Sequence, residues 1–82
     1  MKLFINPELK EKLNNDRILE TEIEEVIEYC EMEGRKIVNE ENNHFTGHLK
    51  IGNMTYWAEY GICEDGYELF NAYAHRMSIG EV

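Results

Sequence analysis

The sequence predicts an α+β domain: a three-stranded antiparallel meander covered on one face by an amphipathic helix, with a shorter helix ahead of it. Three observations carry that reading. Residues 21–33, "TEIEEVIEYCEME", place Ile23, Val26, Ile27 and Cys30 at helical spacing on one side. From His44 onward the apolar rhythm changes to a period of two. Within that region Gly52-Asn53 separates two alternating stretches by two residues, the spacing of a tight hairpin.

The elements follow in order. In "NPELKEKL" Asn6 is a capping residue, Pro7 suits the first helical position, and Leu9 with Leu13 forms an apolar edge. "NND" ends this short helix. Thr21 and Glu24 have the spacing of a capping box for the main helix, Ile18 or Leu19 can staple it, and Gly34 is a natural stop. The rest of the helix is glutamate: Glu20, Glu22, Glu24, Glu25, Glu28, Glu31 and Glu33 are expected to form a solvated face. Arg35 and Lys36 then meet the negative end of the helix dipole. "NEENN" reads as a loop.

A two-residue Gly52-Asn53 turn pairs Ile51 with Met54, Leu49 with Tyr56, Gly47 with Ala58, and Phe45 with Tyr60. One face of the hairpin then holds Phe45, Leu49, Ile51, Met54, Tyr56, Tyr60 and Ile62, which is a core face. Gly47 and Ala58 form a small pair in its middle, where a helix can approach closely. The opposite face carries His44, Thr46, His48, Lys50, Thr55, Trp57, Glu59 and Cys63.

"CEDG" is the next turn and "YELFNAYAHRMSI" the third strand. An even-length loop puts Tyr67, Leu69, Asn71, Tyr73, His75 and Met77 toward the core, and Phe70, Ala72, Ala74 and Arg76 beside His48 and Trp57. An odd-length loop or a bulge swaps the two sets. The even loop is the expectation, because its core set is larger and includes both tyrosines.

The chain has 82 residues, a size at which stability margins are thin, and an ordinary globular composition of 43% hydrophobic and 11% aromatic residues. A net charge of −9 argues against sequence-independent nucleic-acid binding and against an anionic membrane surface. No apolar run approaches the roughly 20 residues that a spanning helix requires. "MKLFINPELK" has too short an apolar stretch for a signal peptide and no small-residue cleavage pattern, so a cytoplasmic location is expected. In that compartment Cys30 and Cys63, which form no CxxC pair, are expected to be free thiols.

Little in the sequence points to catalysis, a cofactor or a metal. His44 and His48 on one strand stand roughly 13 Å apart, too far to share an ion. Cys63 with His75 is the one conceivable nucleophile pair, but "CEDG" gives the thiol acidic neighbours, which oppose a lowered pKa. Trp57 is the most suggestive residue. With His48, Glu59, Phe70 and Arg76 around it, the second sheet face has the composition of an interface hot spot.

Residues 55–77, "TYWAEYGICEDGYELFNAYAHRM", resemble a family of small bacterial domains of unknown function. In these a "TYWxEY" strand is followed by an acidic-Gly turn and a "NAYxHRM" strand. The resemblance covers the C-terminal half and implies an accessory module, sometimes associated with flavin or iron–sulfur redox enzymes of anaerobes. It implies no catalytic residue. The chain itself lacks a cluster-binding cysteine set.

The expectation is therefore a non-enzymatic accessory or interaction domain that self-associates or joins a larger protein through His48, Trp57, Glu59, Phe70 and Arg76. The alternative is a small-ligand or metal-binding module using the histidine, tryptophan and glutamate residues of that face. Asn71, Tyr73 and His75 form a separate polar cluster on the last strand.

Overall fold

The structure, a computed structural model, describes residues 2–76. The element order is β1 (Leu3–Phe4), α1 (Pro7–Asn15), α2 (Glu20–Glu33), β2 (Lys36–Asn39), β3 (His44–Ile51), β4 (Met54–Cys63) and β5 (Gly66–Arg76). The protein is α+β, but its sheet has five strands in the order β1-β5-β4-β3-β2. The expected meander is the central three. β1 adds in parallel beside β5, and β2 adds antiparallel beside β3. At two and four residues these edge strands are too short to show a period in the sequence.

The first helix forms as its residues require. Asn6 Oδ1 accepts the Leu9 N–H at 2.8 Å, Pro7 opens the helix, and Leu9 and Leu13 are buried. The helix continues through Asn15 and stops at Asp16.

The second helix is capped two residues earlier than the expected capping box. Leu19 is its N-cap and has no polar side chain, so the cap is one-sided: Glu22 Oε1 accepts the Leu19 N–H at 2.9 Å. Its other end follows expectation. Gly34 takes φ 69°, and the Arg35 N–H reaches the Cys30 carbonyl at 3.0 Å, closing a Schellman turn.

Two glutamates leave the solvated face. Glu22 Oε2 accepts from the Tyr56 hydroxyl at 2.8 Å. Glu31 Oε2 accepts from the Tyr60 hydroxyl at 2.6 Å and from Lys36 Nζ at 2.6 Å. Burial alone would raise the Glu31 carboxyl, but the Lys36 ammonium and the Tyr60 hydroxyl outweigh it and hold the group below its ordinary value. Tyr60 is wholly buried, and burial, reinforced by Glu31, pushes its hydroxyl far above the usual range. Lys36 also lies 4.0 Å over the Phe45 ring.

The hairpin register is the expected one at every pair from Phe45–Tyr60 to Ile51–Met54. Gly52 takes φ 63°, as a two-residue hairpin turn demands. The helix comes close to the sheet at Gly47. A Cβ built there would stand 2.5 Å from Cys30 Sγ. Cys30 is wholly buried against the sheet, and burial pushes its thiol up, which keeps it protonated. Both cysteines are free thiols. Ile62, expected in the core, is 64% exposed because it lies near the end of the strand.

The third strand of the meander corrects the expectation. The β4–β5 loop is even, Glu64-Asp65, and Ile62–Tyr67 and Tyr60–Leu69 pair inward as expected. A β-bulge then intervenes: Tyr60 faces Leu69 but Glu59 faces Asn71, leaving Phe70 as the extra residue. Beyond it every side chain is reversed. Ala72 and Ala74 point to the helices, opposite Ala58 and Tyr56, while Asn71, Tyr73 and His75 point outward opposite Glu59, Trp57 and Thr55. Arg76, expected outside, pairs with Met54 of the core face. Met77 lies outside the described residues.

The bulge is held from both sides. Asn71 Oδ1 accepts the Ala72 N–H at 2.9 Å, and Lys12 Nζ donates to the Ala72 carbonyl at 2.8 Å. Gly61 leaves room for the displaced ring, since a Cβ there would stand 2.9 Å from Phe70.

Candidate functional site

Both helices pack on one side of the sheet, so the other face has no layer over it among the described residues. Alternation brings to it residues from all the long strands: His44, Thr46 and His48 from β3; Thr55, Trp57 and Glu59 from β4; Asn71, Tyr73 and His75 from β5. All three histidines of the protein stand here.

The rings form a continuous row across three strands. His48 stacks on Trp57 with centroids 4.5 Å apart, and Trp57 lies nearly parallel to Tyr73 at 6.0 Å. Tyr73 meets His75 edge-on at 5.3 Å. The row exists because cross-strand partners sit close enough for ring contact. Thr55 is buried beneath it. At its far side Ile37 of β2 is 73% exposed, and a cleft of about 330 Å³ opens between Ile37, Arg35, His48 and Trp57.

A second stack stands apart from the row. His44 lies on Phe70 with centroids 3.7 Å apart and an interplanar angle of 9°. His44 Nδ1 and Glu59 Oε2 are hydrogen-bonded at 2.8 Å. This group braces the bulge, since Phe70 is the bulged residue and Glu59 faces Asn71.

The expected site residues thus divide into three sets. His48 and Trp57 are joined as expected. Glu59 and Phe70 share their face but are engaged with His44. Arg76 falls away. In its place Tyr73 and His75, read as a separate cluster, complete the row, and Asn71 serves the backbone of the bulge. The bulge made the difference, and because both alternating sets of the third strand contain apolar residues, the alternation does not reveal it.

The chemistry available is limited. Cys63 pairs with Gly66 and His75 with Thr55. Eight residues of β4 separate them, roughly 26 Å, which dissolves the Cys–His pair. Among the described residues no three of His, Cys, Asp and Glu converge as metal ligands. No helix among them is long and apolar enough to cross a membrane. Comparisons with protein-family models, curated proteins and solved structures gave no match.

Proposed function

We propose that this protein is a non-enzymatic interaction domain that associates through the outer face of its sheet, in the first instance with a second copy of itself. The carrying observation is the row His48–Trp57–Tyr73–His75, displayed on the face opposite the helices. Trp and Tyr are the residues most enriched where binding energy concentrates. A flat row crossing three strands suits an isologous contact, in which the same patch meets its copy about a two-fold axis.

Charge is arranged to permit this. Most of the acidic excess sits on α2, in the opposite layer of the fold. Screening over about 8–10 Å at ordinary salt weakens repulsion between two such layers. Two further supports are indirect. The likeness of residues 55–77 to small bacterial accessory domains favours a role beside a larger protein, and two free thiols suit a cytoplasmic setting.

The test is a pair of substitutions. Trp57→Ala should weaken association by about 2 kcal/mol or more, while Glu28→Ala, on the exposed side of α2, should leave it unchanged. Equal effects from the two, measured by sedimentation equilibrium, would remove the outer face from the interface.

A further inference from the structure

We infer that the free end of β3, residues 49–51, is a strand-addition site for an extended acidic peptide segment, with Arg35 and Lys50 as its charge-reading residues. The inference does not rest on the outer face being an interface.

The observation is a notch in the sheet edge. β2 pairs with β3 only over residues 44–47, from Asn39–His44 to Lys36–Gly47. Beyond Gly47, β3 continues for four residues with β4 on one side and, among the described residues, no strand on the other. The two-residue turn closes on Ile51–Met54 as a hydrogen-bonded pair, so alternation directs the N–H and C=O groups of His48 and Lys50 away from β4. Those of Lys50 point into the notch, while the His48 N–H faces the Arg35 main chain that leads into β2. The His48 carbonyl accepts only the Cys30 thiol there, at 3.6 Å, and a thiol is a weak donor.

The other incomplete edge of this sheet is treated differently. β1 covers β5 only at Tyr67 and Glu68, but α1 lies against the exposed stretch, and Lys12 and Asn71 take up both main-chain groups of Ala72. Proteins commonly blunt free edges in this way. In the notch, no side chain among the described residues bonds the main chain of Lys50.

The notch is also shaped and charged for an occupant. A cleft of about 250 Å³ is lined by Tyr29, Arg35, His48, Leu49 and Lys50. The chain carries −9 overall, and Arg35 and Lys50, like Lys2, Lys10, Arg17 and Arg76, are in no ion pair among the described residues, so both cations at the notch are available to an acidic occupant. An added strand would alternate its side chains as β3 does. Those on the helix side would lie against Leu49 and Tyr29, and those on the outer side beside Lys50 and Arg35. The matching segment is extended, with apolar and acidic residues alternating.

The probe is acetyl-Glu-Val-Glu-Ile-Glu-amide, with acetyl-Lys-Val-Lys-Ile-Lys-amide as its control, titrated into the isotope-labelled protein. The expected result is that the acidic peptide shifts the amides of His48 to Ile51 and binds at least about tenfold more tightly than the control. N-methylating one alternating set of its amides should cost about tenfold and the other set little, because only one set faces β3. Arg35→Ala and Lys50→Ala should each weaken binding about threefold or more, and Lys50→Ala should do so without altering the unfolding curve. Absence of shifts at these amides up to a few millimolar peptide, equal binding of the lysine peptide, or indifference to N-methylation would each overturn the assignment.

Discussion

Gly47 and Glu31 are the residues on which the contact between helix and sheet turns. At Gly47 the space for a side chain is already filled by Cys30 Sγ, 2.5 Å from where a Cβ would stand. Gly47→Ala should therefore destabilise by about 1–3 kcal/mol, as overpacked cores do. Cys30→Ala in the same chain should recover part of that loss, and a double-mutant cycle by urea denaturation measures the recovery. Strict additivity of the two changes would mean that they do not meet. The sequence showed this approach in outline, because the Gly47–Ala58 pair stood out in an otherwise bulky core face. It did not show that Cys30 fills the gap, since helical periodicity fixes a face but not a depth.

Glu31 gives the fold a pH dependence whose sign follows from its environment. Its proton is bound less readily in the folded chain than at the ordinary value of 4.5. A carboxyl with a depressed folded value stabilises above its unfolded value, and that stabilisation disappears as pH falls through the folded one. Urea midpoints taken from about pH 6 down to about pH 3 should thus fall more steeply for the native chain than for Glu31→Gln. Parallel curves would show that the Lys36–Glu31–Tyr60 cluster does not contribute. The sequence suggested instead that Glu31 was one of seven solvated glutamates. Only the flank of the helix on which it falls distinguishes it, and Tyr60 is 29 residues away.

At the scale of elements, the bulge in β5 decides which residues share a face. Its stability rests partly on the Asn71 side chain bonding the next backbone N–H. Asn71→Ala should cost about 1 kcal/mol in the unfolding midpoint, with some loss of the Trp57–Tyr73 contact detectable in ring-proton shifts. An unchanged midpoint would mean that the bulge is held without it. The hairpin was legible because a two-residue turn fixes register and because one of its faces is distinctly apolar. The last strand was not, because "LFNAYA" has apolar residues in both alternating sets. The edge strands were missed for a different reason: β1 pairs through two residues, and β2 follows a helix end whose cations suggested only dipole compensation.

For the whole molecule, a helical layer rich in glutamate backs a sheet whose opposite face presents stacked aromatic and imidazole rings. A chain of this size has little stability to spare, and covering an aromatic face would add to it. That separation of charge from apolar surface, together with the ring row, is the basis for the assignment of an interaction domain. Half of the row, His48 facing Trp57, was legible from the hairpin register; Tyr73 and His75 joined it only through the bulge. Self-association through this face is read from light scattering across concentration at ordinary salt. The average mass should rise from 9.7 kDa toward twice that value as concentration increases. A constant monomer mass at concentrations on the order of hundreds of micromolar would contradict it.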